Sequence, residues 1–420
     1  MRAAAPSGAR PLRVVIDARE PVTGGVRQTI IGLAHGLSRL GGDEEYLFLV
    51  RPGFHDWLDP YLGGGSSLLP LAGAEANDWR QWLRERLPAR AMERLATHPL
   101  RALLPMRVPR SDGTVERAGV DVVHLARQAG FVTALPTIYS PHDLQHVHLP
   151  GMFGAVDRRW RALVYPALAQ RAVATIALTH AGRGDVAEHL GVPPERVHVI
   201  GWAPLLDAYD RPTDEGLARL RRARDLPEAF ALYPAQTFAH KNHLALLEAL
   251  AMLRDEGLAV PLVCVGGQDR RQGEIARRAA ALRLDAQVRF LGYVSSGELR
   301  GLYALARMLV FPSLFEGFGM PVLEAFSAGV PVACSDLPPL AEIAGDAAVR
   351  FDPRDARAIA AAVRRLWTEP ALRDRLVARG RVRAASETWE GVARRYRALY
   401  RLAAGRRTGP EDEALLAAMR

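Results

Sequence analysis

Residues 12–40 read LRVVIDAREPVTGGVRQTIIGLAHGLSRL, and this stretch decides the fold. Residues 12–17 form a short apolar run that suits a strand buried on both faces of a parallel sheet. Gly24 and Gly25 end a short loop, and residues 28–40 then repeat apolar side chains at helical spacing. Strand, glycine turn and helix in this order predict the opening of a doubly wound α/β domain.

The same alternation of strands and helices continues along the chain in two series. The first series predicts further strands at 46–50, 121–125, 137–140, 174–178 and 197–200. The second predicts strands at 231–234, 262–266, 288–291, 308–311 and 330–335, and helices at 243–254, 273–282, 297–306 and 320–328. Strict alternation favours parallel sheets with right-handed crossovers. We therefore predict two Rossmann-like domains, residues 1–205 and 206–386.

The composition is that of a globular protein. Of 420 residues, 49% are hydrophobic and 24% charged, which excludes a largely disordered chain. No apolar stretch is long enough to span a membrane, and residues 1–13 lack the apolar core of a secretion signal. Cys264 and Cys334 each lie in an apolar run, which predicts buried thiols rather than a disulfide or metal site. We expect a cytoplasmic protein.

The charge balance is mildly basic and depends almost wholly on arginine. The chain has 55 basic and 46 acidic residues, and Lys241 is its single lysine. This bias is only weak support for nucleic-acid binding, so no nucleic-acid partner is expected. A mildly basic surface nevertheless favours anionic substrates or anionic lipid headgroups. A lysine is a compact point charge where a guanidinium fork does not fit. Lys241 is therefore a candidate site residue, with a chance surface position as the alternative.

Residues 77–110 interrupt the alternation. This segment places Trp79 and Trp82 on one helical face and carries eight arginines against three acidic residues. A basic amphipathic helix with tryptophans can lie in a membrane interface. Packing of the aromatic rings on the N-terminal sheet is the alternative. The first interpretation predicts peripheral contact of this segment with the inner face of a membrane.

Residues 311–326, FPSLFEGFGMPVLEAF, carry the strongest chemical signal. A strand ends at Phe311, a glycine-containing turn follows, and Pro321 marks the first turn of a helix. The N-terminus of such a helix offers unpaired backbone N–H groups and a positive dipole end, which suit a pyrophosphate. Glu316 and Glu324 would repel phosphate but can accept hydrogen bonds from sugar hydroxyls. Acidic side chains that complement the helix dipole are the alternative.

Five more motifs occur with this one in a consistent order over some 370 residues. They are GGV at 24–26, PHD at 141–143, HKNH at 240–243, VRFLGYV at 288–294 and ETWE at 387–390. Together the motifs resemble those of the retaining glycosyltransferases of family 4, which have the two-domain GT-B fold. The resemblance implies two Rossmann-like domains facing across a cleft. It also implies a C-terminal helix, about residues 387–420, that crosses back to complete the N-terminal domain.

The resemblance also implies roles for individual residues. Glu316 would contact the hexose of a nucleotide-diphosphate sugar and Glu324 its ribose, while Lys241 would neutralise the departing pyrophosphate, an electrostatic stabilisation of the leaving group. His142 would lie over the hexose, and the backbone at Gly25 would approach the distal phosphate. The full donor-binding set is Gly24, Gly25, Gln236, Lys241, Val294, Glu316, Gly317, Phe318, Gly319, Met320, Val322 and Glu324. The acceptor candidates are Arg27 and Asp143.

The family often has an arginine a few residues before the motif lysine, and this chain has none. Either Gln236 or His240 partly replaces it, or a basic residue from elsewhere reaches the pyrophosphate, or the leaving group relies more heavily on Lys241. The resemblance implies that neither a metal nor another cofactor is needed, and the sequence agrees, since no Asp-x-Asp occurs and no His/Cys cluster has ligand spacing. No residue stands out as a covalent nucleophile, which favours front-face displacement with retention.

The predicted activity is transfer of a hexose from a nucleotide-diphosphate sugar to a hydroxyl of a glycan or lipid-linked oligosaccharide. The resemblance to surface-polysaccharide transferases favours GDP-mannose as the donor. One alternative is a nucleotide-sugar epimerase of the same fold. The other is a basic protein that binds membranes or nucleic acid without catalysis.

Overall fold

The computed structural model describes residues 10–19, 24–71, 106–205, 212–267 and 271–420. These residues cluster into two compact units. The N-terminal unit holds the described residues up to Leu178, together with Gly182–Ile200 and Glu390–Arg420. The C-terminal unit holds Thr179–Ala181 and the described residues of Gly201–Trp389. Of the predicted membrane segment, residues 77–105 lie outside the described residues.

The N-terminal unit is built on a parallel sheet of seven strands in the order β3-β2-β1-β4-β5-β6-β7. Its strands are β1 (Arg13–Asp17), β2 (Glu45–Val50), β3 (Ser66–Pro70), β4 (Val122–Leu125), β5 (Thr137–Tyr139), β6 (Ala174–Ala177) and β7 (Val197–Val199). Its first helices are α1 (Gly25–Leu37), α2 (Thr114–Arg117), α3 (Gln145–His148), α4 (Ala155–Arg171) and α5 (His180–Leu190). The middle of β1 is fully buried, as the apolar run at 12–17 predicts.

The C-terminal unit is built on a parallel sheet of six strands in the order β10-β9-β8-β11-β12-β13. Its strands are β8 (Ala231–Pro234), β9 (Leu262–Val265), β10 (Val288–Phe290), β11 (Met308–Phe311), β12 (Val332–Ser335) and β13 (Ala348–Phe351). Its helices are α6 (Asp214–Ala223), α7 (His243–Asp255), α8 (Gln272–Ala281), α9 (Ser296–Leu305), α10 (Met320–Ser327), α11 (Pro338–Ala344), α12 (Ala356–Thr368) and α13 (Pro370–Ala385).

The last two helices, α14 (Trp389–Ala403) and α15 (Pro410–Ala418), belong almost entirely to the N-terminal unit. Tyr400 of α14 is fully buried, and its hydroxyl lies 2.8 Å from Nδ1 of His124 on β4. Arg401 forms ion pairs with Glu44 and with Asp412 of α15, at 2.9 Å for the second. The predicted return of the C-terminal helix to the N-terminal unit is thereby confirmed.

The predicted fold class, two doubly wound α/β units with parallel sheets, is confirmed. The predicted strands agree with the observed ones within two residues at each end. Helix α1 begins at Gly25 rather than at residue 28, because Gly24 has a φ of 78° and caps the helix there. Both cysteines are buried and free, as predicted. None of the helices in the described parts of the chain has the length and hydrophobicity needed to cross a bilayer.

Candidate functional site

The strand order of the C-terminal sheet locates a binding position. The chain builds outward from β8 through β9 to β10, then returns to start again at β11 on the other side of β8. In open α/β sheets, ligands bind beyond the carboxyl ends of the two strands where the order reverses. Here those strands are β8, followed by the 3-10 helix Ala239–Lys241, and β11, followed by residues 312–319. The sequence-predicted residues Lys241 and Glu316 lie on these two connections.

Lys241 and Glu316 form an ion pair at this position. Lys241 Nζ donates to Glu316 Oε1 at 2.6 Å, and the two side chains are only 17% and 12% exposed. Nζ also lies 5.4 Å from the centre of the Phe311 ring, a cation–π contact. The backbone N–H of Leu314 donates to the carbonyl of His240 at 2.7 Å, which joins the two connections next to the ion pair. The ion pair and this backbone hydrogen bond therefore both fix the two connections at the point where the strand order reverses.

Asn242 fastens the site to a third strand. Its φ of 61° places it in the left-handed region between the 3-10 helix and α7. Its amide Nδ2 donates to the carbonyl of Pro312 at 3.1 Å and to that of Pro353 at 2.7 Å. These carbonyls follow β11 and β13, so one side chain ties three strand ends together. Asn242 belongs to the HKNH motif at 240–243 but was not among the predicted site residues. An asparagine directly before a helix, a position that tolerates left-handed backbone, was the available signal.

The connection after β11 enters α10 through a glycine that no other residue replaces easily. Gly319 has a φ of 113°, and a Cβ on it would lie 2.3 Å from Cδ2 of Leu340. Phe318 is buried against Trp202, with 5.3 Å between ring centroids, and Met320 and Val322 are also buried. In the first turn of α10, Pro321 has no N–H and the N–H of Val322 donates to the carbonyl of Gly319 at 2.9 Å, so the N–H groups left to face a ligand are those of Gly319 and Met320.

Glu324 is a buried carboxylate with one unused acceptor. It lies in the second turn of α10 and is 2% exposed. The buried hydroxyl of Tyr303 on α9 donates to its Oε2 at 2.8 Å. Its Oε1 is buried and has no hydrogen-bond partner among the described residues. Burial raises the pKa of Glu324 to about 7, although the hydrogen bond from Tyr303 opposes that rise. A buried acceptor of this kind is satisfied by a water molecule or by a hydroxyl or N–H donor of a ligand.

The loop after β9 approaches the β8 connection more closely than any side chain would allow. Gly266 has a φ of 143°, and a Cβ on it would lie 2.6 Å from the carbonyl oxygen of Ala235 and 2.9 Å from the backbone nitrogen of Gln236. Gln236 is half-buried beside Gly267. Gly266 was not among the predicted site residues. Its signal was a pair of glycines directly after an apolar strand.

His240 does not provide a second positive charge next to Lys241. Burial, and then the charge of the neighbouring Lys241, lower the pKa of His240 to about 3. The imidazole is therefore neutral at pH 7 and does not supply that charge. Val294, the remaining donor-binding candidate, is 7% exposed, while Tyr293 beside it is 70% exposed.

The other predicted site residues lie in the N-terminal unit. Its sheet reverses order between β1 and β4, and Gly24 and Gly25 begin the helix that follows β1. His142 follows β5 with a φ of 63°, and its Nε2–H donates at 2.9 Å to the carbonyl of Ala126, which follows β4. Burial lowers the pKa of His142 to about 4, so the ring is neutral at pH 7.

The two acceptor candidates have local contacts within this unit. The guanidinium of Arg27 lies 5.2 Å from the centre of the Trp57 ring. Asp143 Oδ1 accepts a hydrogen bond from the backbone N–H of Gln145 at 3.1 Å, at the start of α3, and its Oδ2 accepts one from the Gln128 amide at 3.3 Å. These contacts give both residues structural roles and leave their contribution to acceptor binding a prediction.

Two family models match the chain. "Glycosyltransferase Family 4" matches residues 23–201, and "Glycosyl transferases group 1" matches residues 218–383. The matches cover most of the chain in the expected order. The chain belongs to the family 4 glycosyltransferases. The resemblance inferred from the motifs is confirmed.

Similar proteins agree with this family. This glycosyltransferase is 33% identical over 209 residues to the O-antigen chain mannosyltransferase B of Escherichia coli, a match that covers 50% of this chain and 55% of that one. It is 30% identical over 230 residues to the serotype-specific mannosyltransferase WbdA of Escherichia coli, covering 53% of this chain and 28% of WbdA. These matches thus span about half or less of the relatives' length.

Solved structures share the fold. The crystal structure of Anabaena Alr3699/HepE in complex with UDP and glucose superposes with a TM-score of 0.69 and 17% identity. The match covers 92% of the glycosyltransferase and 99% of the Anabaena chain. At this level of identity the likeness confirms the GT-B fold of the chain and extends no further.

Proposed function

We propose that this glycosyltransferase moves a hexose, with retention, from a nucleotide-diphosphate sugar to a hydroxyl of a glycan or a lipid-linked oligosaccharide. The observation that carries the proposal is the Lys241–Glu316 ion pair at the reversal of strand order in the C-terminal sheet. A cation, a carboxylate and a helix N-terminus converge there, and a diphosphate joined to a sugar offers partners for all three.

Lys241 is suited to receive the leaving diphosphate. One of its three N–H groups is taken by Glu316, and no other hydrogen-bond acceptor for Nζ is found among the described residues. Glu316 holds the ammonium in place, so the positive charge is fixed before the reaction begins. Charge that develops on the departing phosphate is then met without reorganisation, which is the most effective form of electrostatic catalysis. The second oxygen of Glu316 accepts a hydrogen bond from a hexose hydroxyl.

Glu324 is suited to hold the ribose. Its partnerless Oε1 accepts a hydroxyl, while Tyr303 fixes Oε2 and with it the orientation of the carboxyl group. The backbone at Phe318, Gly319 and Met320 takes the phosphates at the tip of α10. We assign the reaction to front-face displacement without a metal ion. The contacts predicted for Gly25 with the distal phosphate and for His142 with the hexose stay predictions.

Mannose is the hexose that the comparisons favour. Both relatives named above are mannosyltransferases, and one is named for the O-antigen chain. We therefore propose GDP-mannose as the donor and a growing polysaccharide as the acceptor. A thermal-shift screen of UDP-, GDP- and ADP-sugars tests the donor, because a saturating ligand raises the apparent stability by mass action. Release of nucleoside diphosphate only in the presence of acceptor distinguishes transfer from epimerisation.

Replacement of Lys241 tests the chemistry directly. We expect Lys241→Ala to lower turnover at least about tenfold, which corresponds to about 1.4 kcal/mol of lost transition-state stabilisation. The matched control is Arg278→Ala, which removes an exposed cation from an ion pair with Glu248 on the same unit. Circular dichroism and melting temperature verify that both variants fold. Retention of more than a tenth of wild-type turnover by folded Lys241→Ala rejects this role for the lysine.

Contact of residues 77–110 with the inner face of a membrane also remains a proposal, supported by their basic and tryptophan-containing sequence. Liposome flotation of the full chain and of a variant without this segment measures it. Equal partitioning of the two proteins on anionic vesicles refutes the proposal.

A further inference from the structure

Two histidines and an aspartate converge in the N-terminal unit, at a place that the proposed reaction does not use. His148 is the last residue of α3, and Asp185 and His189 lie one turn apart on α5. His148 Nε2 lies 2.8 and 2.9 Å from the two carboxylate oxygens of Asp185, and His189 Nε2 lies 3.1 Å from Oδ1. One nitrogen from each ring and one carboxylate oxygen all lie within 4.8 Å of one another. We call these three residues the His-Asp-His cluster.

The separations in the cluster are close to those of a metal site. Imidazole nitrogen and carboxylate oxygen are common ligands of zinc and of its first-row neighbours. With bonds of about 2.0–2.2 Å, neighbouring ligand atoms of a tetrahedral site lie roughly 3.3–3.6 Å apart. The nitrogen–oxygen separations of 2.8 and 3.1 Å therefore need to open by about 0.2–0.8 Å to admit an ion. Small side-chain rotations provide that change.

The positions of the three side chains on α3 and α5 favour metal binding. Asp185 and His189 are separated by four positions on one helix, so they project from the same face. His148 comes from a separate helix, so an ion would link two parts of the chain. The side chains of His148, Asp185 and His189 are 39%, 26% and 32% exposed, which leaves a path for entry and room for water at the remaining coordination positions.

The hydrogen bonds within the cluster can be replaced by bonds to a cation. Both Nε2 atoms point at the same carboxylate, so a proton on each makes the present hydrogen bonds. A divalent ion bound at both Nε2 atoms takes the place of these protons, each of which moves to Nδ1 of its own neutral ring, and the carboxylate then faces the ion in place of the two N–H groups. Residues 55–59 hold the other comparable group in the described part of the chain, His55, Asp56 and Asp59, which comes from a single exposed turn and links nothing.

We propose that His148, Asp185 and His189 bind one divalent transition-metal ion of the zinc class, with water completing its coordination. The site is separate from catalysis. The ion cross-links α3 to α5 and so stabilises the segment that follows His142. With three protein ligands and open positions, it binds more weakly than a four-ligand structural zinc site.

The test measures metal binding by the full chain, freed of metal by chelation and of any histidine tag. We expect calorimetric titration with Zn²⁺ or Co²⁺ to show one saturable site per chain, and the Co²⁺ form to show the visible absorption of a low-symmetry nitrogen and oxygen site. His189→Gln and Asp185→Asn should each weaken binding at least tenfold. The matched control is His55→Gln, which removes a histidine from the other group and should leave the affinity unchanged.

Two results overturn the proposal. One is the absence of saturable binding up to millimolar metal. The other is binding that persists unchanged in folded His189→Gln and Asp185→Asn, which places the metal elsewhere. Should these variants fail to fold, the position is read from wild-type crystals soaked in Co²⁺. An anomalous scattering peak among the three side chains supports the site, and a peak only at other residues rejects it.

Discussion

At the scale of single residues, the most informative group is the carboxyl of Glu324. Its environment has two opposing effects on its pKa. Burial raises the pKa to about 7, while the hydrogen bond from the Tyr303 hydroxyl stabilises the charged form and opposes that rise. The group therefore changes charge near neutral pH. An ionised carboxylate accepts hydrogen bonds from hydroxyls more strongly than a neutral acid does. The affinity of the proposed ribose contact should thus depend on pH in a range where most carboxylates do not titrate.

We expect nucleotide affinity to rise with pH through about 7 in the wild type, and the midpoint to move to higher pH in Tyr303→Phe, which removes the hydrogen bond that favours ionisation. Glu324→Gln, which cannot ionise, is the control and should keep only the pH dependence that the terminal phosphate of the ligand itself contributes. Calorimetric titration with the nucleoside diphosphate from pH 6 to about 8.5 measures all three proteins. A wild-type profile with the same pH dependence as that of Glu324→Gln contradicts the assignment.

At the scale of elements, the connection from β9 is constrained by the β8 connection that it touches. Gly266→Ala would place a methyl group 2.6 Å from a carbonyl oxygen and 2.9 Å from a backbone nitrogen, at a φ of 143° that alanine rarely adopts. Backbone atoms cannot yield as a side-chain end can. We expect a loss of about 1–3 kcal/mol in the free energy of unfolding, together with weaker nucleotide binding.

The matched control is Gly297→Ala on α9, where a Cβ would meet nothing within 4 Å. That change removes backbone entropy from the unfolded chain and should stabilise by about 0.5–1 kcal/mol. Urea denaturation followed by circular dichroism measures both variants. If Gly266→Ala matches or exceeds the wild type in stability, the loop moves more freely than its contacts indicate.

All strands in the middle of the two sheets were readable from the sequence, whereas two of the four edge strands were not. The central strands are continuous apolar runs because both of their faces are covered. The prediction omitted β3 (Ser66–Pro70) and β13 (Ala348–Phe351), which lie at the edges of the two sheets. β3 contains two serines and ends in proline, and β13 carries an exposed arginine, Arg350. An edge strand pairs on one side only and needs no continuous apolar pattern.

The sequence predicted individual residues of the candidate site but not the contacts between them. Short motifs fixed Lys241, Glu316 and Glu324, because each motif is local in sequence. The ion pair between Lys241 and Glu316 and the hydrogen bond from Tyr303 to Glu324 join residues 75 and 21 positions apart, and only folding brings them together. No local pattern marks Tyr303 as the partner of a carboxylate.

At the scale of the whole molecule, the N-terminal unit is completed by the end of the chain, and His124 lies at that junction. Its Nδ1 is 2.8 Å from the Tyr400 hydroxyl of α14, and its Nε2 is 2.9 Å from Ser140 Oγ, two residues before His142. A single buried imidazole therefore connects the C-terminal helix to the strand end that carries a predicted site residue. Burial, with a contribution from His142, lowers the pKa of His124 to about 3.

This junction predicts that the N-terminal unit loses stability in mild acid. The unfolded chain binds a proton at His124 near pH 6.5 and the folded unit only near pH 3, so the unfolded state binds more protons between these values. The free energy of unfolding is therefore complete above about pH 6.5 and falls as the pH drops, by about 2 kcal/mol at pH 5 from this one group. His142 and His198, whose pKa values burial lowers to about 4, add to the loss in the same direction.

His124→Gln keeps a polar side chain that can hydrogen-bond Tyr400 or Ser140 but cannot be protonated. We expect its stability to fall less between about pH 7.5 and 5 than that of the wild type, by about 2 kcal/mol, in urea denaturation followed by near-UV circular dichroism. His55→Gln, at an exposed turn, should keep the full wild-type dependence. If His124→Gln and the wild type lose the same stability over this interval, His124 binds its proton over the same pH range in the folded unit as in the unfolded chain, and burial does not lower its pKa.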